Sequence, residues 1–363
     1  MRKILHKTLV FSNYILSFAI LLSYLSVYIS PVDFAFIAVF GLAYPFILTL
    51  NLLIMFYWIY RKKKLFLISL TAILLGWTHL SNFFTLNLNA EETDKATFSM
   101  ISYNVRLFDL YDWTKSKGIK DKIFYFLQDE SPDVVCFQEF YSKQDSSGNS
   151  SKKRLVRDLK TKNAHVSYVK KRNRTYNYGT ATFSKYPIVG KGEIPFKNSN
   201  NQCIYTDIQA GKQTIRIYNS HLESVHFGYD NYQFLDSLDH KIDNRKIRGL
   251  FNILKKLNIA FKKRAAQVEI IYQHVQNSPY PVIICGDFND TPISYAYHRM
   301  CAGLNDAFIT SGIGIGSTYI RRLFPYRIDY ILHSDTLKSS GFRRYKEKLS
   351  DHYPIGCRFS IAE

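Results

Sequence analysis

Val282-Ile283-Ile284-Cys285-Gly286-Asp287-Phe288-Asn289-Asp290 is a short β-branched run that halts at a glycine and then presents a carboxylate and an amide two residues apart. A run of this length and composition reads as a buried strand. Thr291-Pro292 follows and turns the chain away, because proline cannot donate to a sheet ladder. A strand that ends by offering Asp287 and Asn289 at its rim suits a phosphate-and-metal site, provided that other strand ends supply partners.

Working outward, they do. Residues 98–105 alternate at period two, as a strand does, and end near Asn104. Residues 119–127 have helical spacing and stop at Ser131-Pro132. Asp133-Val134-Val135-Cys136-Phe137-Gln138-Glu139 is a second strand ending at a carboxylate. Residues 180–184 and 202–208 read as strands, and Thr214-Ile215-Arg216-Ile217-Tyr218-Asn219-Ser220-His221 ends at a histidine. A polar, helix-rich insertion follows at about 223–263, then a helix from Ala265 leading to the central strand. Arg327-Ile328-Asp329-Tyr330-Ile331-Leu332 is a late strand, and Ser350-Asp351-His352-Tyr353-Pro354-Ile355 precedes a last one through Phe359. Singly, each polar strand end has a plain structural reading: Asn after a strand is usually a turn residue, and a lone Glu is usually a solvated one. Together, hard oxygen donors with two histidines and no cysteine cluster point to magnesium or manganese rather than structural zinc.

The first ninety residues have another character. Three apolar stretches, at about 8–30, 34–60 and 65–86, each reach the roughly 20 residues that cross a bilayer as a helix. Arg2, Lys3 and Lys7 precede the first, and Arg61-Lys62-Lys63-Lys64 fills the gap between the second and third. Only Asp33 lies between the first and second, and Glu91, Glu92 and Asp94 follow the third. By the positive-inside rule the N-terminus is cytoplasmic and everything after Leu86 extracytoplasmic. Tyr57, Trp58 and Tyr60 fit an interfacial aromatic belt. No small-residue cleavage site follows the first stretch, so the reading is an uncleaved anchor.

The chain has 363 residues and a formal charge of +19, which favours anionic partners: nucleic acid, phospholipid surfaces or phosphorylated small molecules. With 47% hydrophobic and 16% aromatic residues it is not a disordered chain. The five scattered cysteines form no CxxC pair, which excludes a disulfide framework or a zinc ribbon. Cys136 and Cys285 read as small buried hydrophobes. Ser146-Ser147-Gly148-Asn149-Ser150-Ser151 reads as a mobile loop.

Tyr103-Asn104-Val105, Gln138-Glu139, Asn219-Ser220-His221-Leu222, Gly286-Asp287-Phe288-Asn289, Arg327-Ile328-Asp329-Tyr330-Ile331 and Ser350-Asp351-His352-Tyr353-Pro354 resemble, in order, the motifs of the endonuclease/exonuclease/phosphatase superfamily. That group includes deoxyribonucleases, abasic-site endonucleases, sphingomyelinases and inositol-polyphosphate phosphatases. The resemblance spans essentially all of residues 97–359 and identifies a membrane-anchored, bacterial-type member. It implies a four-layer α/β/β/α sandwich of two mixed sheets, here preceded by three transmembrane helices. With the topology read from the basic residues, the catalytic domain at 97–363 is expected to be extracytoplasmic and tethered to a bacterial inner or cell membrane through residues 1–90.

Carried over residue by residue, the resemblance makes Glu139 the principal metal carboxylate, with Asn104 and Asp351 completing a Mg2+ or Mn2+ site. The cation would act as Lewis acid on a phosphate oxygen. Asp329 would fix the tautomer of His352, and either His352 or Asp287 would deprotonate the attacking water. Asn289 would position Asp287 and the phosphate, and His221 would stabilise or protonate the leaving oxygen. The insertion holds Phe227, Tyr229, Tyr232 and Phe234, followed by Lys241, Arg245, Lys246, Arg248, Lys255, Lys256, Lys262, Lys263 and Arg264. A second basic block runs from Lys152, Lys153 and Arg154 to Lys170, Lys171, Arg172 and Arg174. Both read either as solvated surface or as a contact for nucleic-acid backbone or acidic lipid headgroups. The expected function is metal-dependent hydrolysis of a phosphodiester or phosphomonoester, as a nuclease or a lipid- or sugar-phosphate hydrolase. The alternative is a silent module binding a phosphorylated ligand in the same groove.

Overall fold

The computed structural model of the protein describes residues 2–87, 98–143, 150–161, 163–171, 174–225, 244–320 and 326–361. Most of the expected loop at 146–151, Arg172, and the aromatic part of the insertion with Phe227, Tyr229, Tyr232 and Phe234 lie outside these residues. The chain forms two compact units. One comprises residues 1–82, 224–268 and 290–299; the other comprises 83–223, 269–289 and 300–363.

In the first unit, helices α1 (Arg2–Leu25) and α3 (Phe36–Tyr60) flank a short turn of helix, α2 (Pro31–Phe34), capped by the Ser30 hydroxyl. Both long helices carry spans long and apolar enough to cross a bilayer, Lys3–Leu25 and Phe36–Tyr60. The third stretch is shorter than the sequence suggests. It gives α4 (Phe66–Leu75), breaks at Gly76, resumes as α5 (Trp77–Ser81), and then leaves the helix for a strand, β1 (Phe84–Leu86). At 1.5 Å per residue α4 and α5 together span about 24 Å, less than the ~30 Å of a hydrocarbon core. Buried polar side chains tie the three together. The Asn51 amide donates to Leu16 O and Ile47 O, the Asn13 amide to Leu65 O, and the Ser69 hydroxyl to Asn13 Oδ1. In apolar surroundings such bonds are strongly directional glue.

The second unit is a sandwich. Its first sheet carries β2 (Phe98–Asn104), β3 (Val134–Tyr141), β4 (Asn163–Lys171) and β5 (Arg174–Ser184); α6 (Ile119–Glu130) and α7 (Ser151–Asp158) interrupt these strands in sequence. The second sheet carries β6 (Ile188–Ile194), β7 (Gln202–Ala210) and β8 (Gln213–His221). It is completed, after helix α8 (Asn244–Gln276), by β9 (Val282–Asp287) and, after α9 (Tyr295–Met300), by β10 (Asn305–Asp306). The last elements are α10 (Ala307–Ser311), β11 (Ile313–Ile315), β12 (Asp329–His333), β13 (Leu337–Arg344) and β14 (Ile355–Ile361). The strand orders are β13-β14-β2-β3-β5-β4 and β10-β12-β9-β8-β7-β6, and β1 pairs with β11 apart from both. β2 runs parallel to β3 and β8 to β9, while the other pairs are antiparallel, so both six-stranded sheets are mixed.

Period-two alternation decides which faces meet. Met100 of β2, Val134 and Cys136 of β3, Ile283 and Cys285 of β9, and Cys357 and Phe359 of β14 fill the space between the sheets. Their neighbours Ile101, Tyr103, Val135 and Phe137 point the other way, onto Ile123, Phe124 and Leu127 of α6 and Leu155 of α7. On the outer face of the second sheet, the Tyr218 hydroxyl meets His274 Nδ1 at 2.8 Å, near the end of α8. The expected four-layer arrangement of two mixed sheets is therefore present in this unit.

The sequence separates an insertion ending near 263 from a helix starting at 265. The structure runs them together as one 33-residue helix, α8. Residues 250–276 contain neither glycine nor proline, so nothing in the backbone interrupts it.

Candidate active site

Strand polarity gathers the polar residues at one end of the sandwich. Asn104, His221 and Asp287 are the last residues of β2, β8 and β9, and Glu139 lies near the end of β3. β12 and β14 run antiparallel to β9 and β2, so their first residues arrive at that same end. Asp329 is the register partner of Asp287, and Asp351-His352 lies just before β14. All eight residues expected from the sequence thus converge, although they span some 250 positions in the chain.

Asp287 Oδ2 is the hub. It accepts from the Asn104 amide at 3.0 Å and the Asn289 amide at 3.2 Å, and lies 3.7 Å from Nε2 of both His221 and His352. Its other oxygen accepts the Asn289 N–H at 2.8 Å. The Asn289 amide also donates to Leu222 O, so this residue clamps Asp287 to the end of β8. Asn289 has a φ of 52°, a left-handed conformation that Asn adopts more readily than most residues. Glu139 also has a φ of 52°, at a bulge between Phe137 and Phe140. For such a residue this costs on the order of 1–2 kcal/mol, and bulges of this kind re-aim side chains next to sites.

His352 is fixed on three sides. Its Nδ1 meets Asp329 Oδ2 at 2.9 Å, its ring packs 5.2 Å from that of Tyr319, and its backbone N–H donates to the Ser350 hydroxyl. The Thr318 hydroxyl accepts the N–H groups of Ile328 and Asp329, which holds the start of β12. Ser350 in turn donates its hydroxyl to Asn104 O at 2.8 Å.

Burial is the largest influence on Asp287 and pushes its carboxyl up to about 6. Asp329 adds to this, and the two histidines oppose it. Burial works against a charged His352 ring, yet the carboxylates of Asp329 and Asp287 hold it well above the usual imidazole range. Burial, and after it the Asp351 carboxylate, raise Glu139, against His352, the Asn104 amide and Arg106.

Three residues outside the expected set complete the site. Arg106 places Nε 3.4 Å from Asp351 Oδ2 and stacks 4.4 Å above the Trp113 ring. Its position two residues after Asn104 is the signal that could have found it. Beneath the site the Gln138 amide donates to Asn219 Oδ1 at 2.7 Å, and the Asn219 amide donates to Phe137 O and Ala181 O, linking the two sheets. Nothing in the spacing of Gln138 and Asn219 announces that bridge.

Ligand atoms of Asp287, Asp329 and His352 lie within 4.8 Å of one another. Their lone pairs and protons are already shared among themselves, Asn104 and Asn289. Glu139 and Asp351 are different: two carboxylates that repel each other beside the Asn104 amide. That oxygen-rich set suits a hard divalent cation.

A sequence model described as the endonuclease/exonuclease/phosphatase family matches residues 101–352. The chain belongs to this family. Members of the endonuclease/exonuclease/phosphatase family hydrolyse phosphoesters and typically use a divalent metal. Residues 6–83 match a second model, described as a domain of unknown function. No curated relative matches the sequence. Among solved structures, the human Nocturnin catalytic domain with bound sulfate superposes with a TM-score of 0.52 at 18% identity, over 73% of this chain and 93% of that one. An endonuclease/exonuclease/phosphatase from Beutenbergia cavernae gives 0.52 at 15% identity, over 73% and 72%. At these identities the likeness concerns the fold of the family alone.

Proposed function

We propose that the protein is a membrane-anchored phosphoester hydrolase that attacks phosphorus in line with water, served by Mg2+ or Mn2+. The observation carrying this reading is the environment of Asp287 Oδ2, 3.7 Å from two imidazoles and hydrogen-bonded to two amides. With His352 held charged by Asp329, Asp287 is the group able to accept a proton at neutral pH, since its carboxylate prevails above about 6. Asp287 takes the proton of the attacking water, His352 Nε2–H donates to a non-bridging phosphate oxygen, and His221 protonates the departing oxygen. Asn104, Glu139 and Asp351 would hold the divalent cation, which supplies Lewis-acid polarisation of the phosphate and neutralises the Glu139–Asp351 repulsion.

The anchor reading is supported by the two long apolar helices, with basic residues at 2, 3, 7 and 61–64 marking one end. Residues of the opposite end, Ser26, Ala38 and Gly41, pack against the segments 290–299 and 244–268, which border catalytic strands in sequence. Gly41 approaches so closely that a Cβ there would sit 2.2 Å from Ile293 O. This supports an extracytoplasmic catalytic domain.

The test is turnover by the full chain in lipid nanodiscs. The panel comprises bis-p-nitrophenyl phosphate, plasmid DNA, a sugar phosphate and a phospholipid, each with Mg2+ or Mn2+ and with chelator. Chelator-sensitive hydrolysis of at least one ester is expected. No turnover on any of them would transfer the groove to the silent binding module.

A further inference from the structure

Helix α8 begins far more apolar on its surface than a solvated insertion requires. Ile247, Leu250 and Phe251 are 43%, 50% and 67% exposed. With Leu254 they follow the i, i+3, i+4, i+7 spacing that sets side chains on one stripe of a helix. A different stripe of the same helix is packed: Ile253, Leu257 and Phe261 bury themselves with Ala38, near the start of α3, and Val39, Leu42 and Leu254 close around them. Leu254 belongs to both surfaces, so the exposed stripe begins at the apolar cluster on α3 and runs outward from it.

The charges are arranged with equal regularity. Arg248, Lys255 and Lys262 are exposed and stand seven residues apart. At 3.6 residues per turn they form a single row about a quarter turn round from the stripe. A stripe of Ile, Leu and Phe edged by a basic row is the pattern of a helix lying in a membrane interface, its apolar side among acyl chains and its basic edge on acidic headgroups.

We propose that α8, from its start to Lys262, lies along the bilayer surface, with Ile247, Leu250 and Phe251 inserted and Arg248, Lys255 and Lys262 on anionic headgroups. The occupant of the stripe is lipid. Continuity with the apolar surface of α3 and the flanking positive row both argue for this over a polar partner. The inference rests on the anchored reading given above. It adds a second, reversible contact to that anchor, located on the helix that carries Arg264. Arg264 is the buried partner of Asp290, the residue next to Asn289, with Nε 2.9 Å from Asp290 Oδ2.

The experiment uses the full chain with Cys301→Ser, reconstituted in vesicles of phosphatidylcholine with or without phosphatidylglycerol. Environment-sensitive labels are placed at Phe251→Cys on the stripe, Asn252→Cys well round from it, and Leu53→Cys, about two turns from the end of α3 and within its apolar span. Aqueous iodide and lipid-attached nitroxides serve as quenchers. The label at 251 is expected to emit to the blue, escape iodide and be quenched by shallow nitroxides, whereas the label at 252 shows the reverse. Combining Arg248→Glu, Lys255→Glu and Lys262→Glu should lower nitroxide quenching at 251 on vesicles containing phosphatidylglycerol. Iodide quenching at 251 together with deep nitroxide quenching at 53 would overturn the surface contact and leave the anchor standing. No lipid quenching at 53 would overturn both. Energy transfer between copies labelled at 251 that survives lipid dilution would assign the stripe to a second copy and refute the proposal.

Discussion

Gly286→Ala is the substitution that most directly tests how the strand end builds the site. Gly286 has a φ of 131°, a region that an L-residue with a side chain rarely enters. An added Cβ would sit 1.9 Å from Ser220 O, on the adjacent parallel strand β8, where ordinary contact begins at 3.4 Å. The obstacle is backbone, so a rotamer change cannot relieve it. β9 must retreat from β8 by more than an ångström, or the peptide must rotate. The φ penalty is about 1–2 kcal/mol, and forcing an extra carbon into a packed core adds about 1–3 kcal/mol. A loss of roughly 2–5 kcal/mol is expected, which lowers Tm by roughly 10 °C in a domain of this size. The neighbouring register pair is His221 with Asp287, so the same retreat separates the Asp287 carboxylate from the His221 imidazole. A 1 Å misplacement of reacting groups costs about 100-fold in rate. The assay is therefore kcat on bis-p-nitrophenyl phosphate, measured well below the variant's own Tm, beside a thermal melt. A variant within twofold of the parent in kcat and within 2–3 °C in Tm would refute this account of the strand end, since even 1 kcal/mol corresponds to about 2–4 °C.

Three further outcomes are expected. Asp329→Asn removes the main influence that keeps His352 protonated, so the imidazole titration followed by NMR should move to lower pH, and the rate should fall about 10²–10⁴-fold; an unmoved titration would separate Asp329 from that role. Because Asp287 must be ionised to accept a proton, kcat/KM should decline as pH falls through about 6, and His352→Gln, which removes a cation favouring the carboxylate, should move that limb to higher pH; a limb near the ordinary aspartate value of about 4 would remove Asp287 as acceptor. In the first unit, Arg264→Met should destabilise by about 3–5 kcal/mol because it takes the guanidinium away from the buried Asp290 carboxylate, while the double change with Asp290→Asn should recover most of that loss in a denaturation series.

The strands that carry chemistry were legible in the chain because they are central. β2, β3, β8, β9 and β12 are buried on both faces or nearly so, and composition alone gives runs such as Val282-Ile283-Ile284-Cys285 away. Within the two six-stranded sheets, the strands that escaped a sequence reading are β4, β6, β10 and β13, and all four lie at sheet edges. An edge strand faces solvent on one side and tolerates lysine, arginine and glycine, as in Ile188–Ile194 and Leu337–Arg344, so its pattern fades. The site followed the same division. Residues whose types are demanded by their chemistry, such as Glu139 and His352, stood out at strand ends. Supporting groups such as Arg106, Gln138 and Asn219 did not, because their roles depend on what lies across the sandwich.

By itself the sequence determined the apolar helices at the N-terminus, the central strands, and the eight polar residues that end or precede them. Those are local properties, written in the spacing of side chains along a single segment. The tertiary structure decided that the strand ends share one pole, because only parallel and antiparallel pairing fixes which ends meet. It also decided that Asp287 is the hub, that the third apolar stretch breaks at Gly76, and that one unbroken helix carries the end of the insertion onto the N-terminal apolar helices. Each of these depends on contacts between residues far apart in the chain, whose free energy no local pattern records.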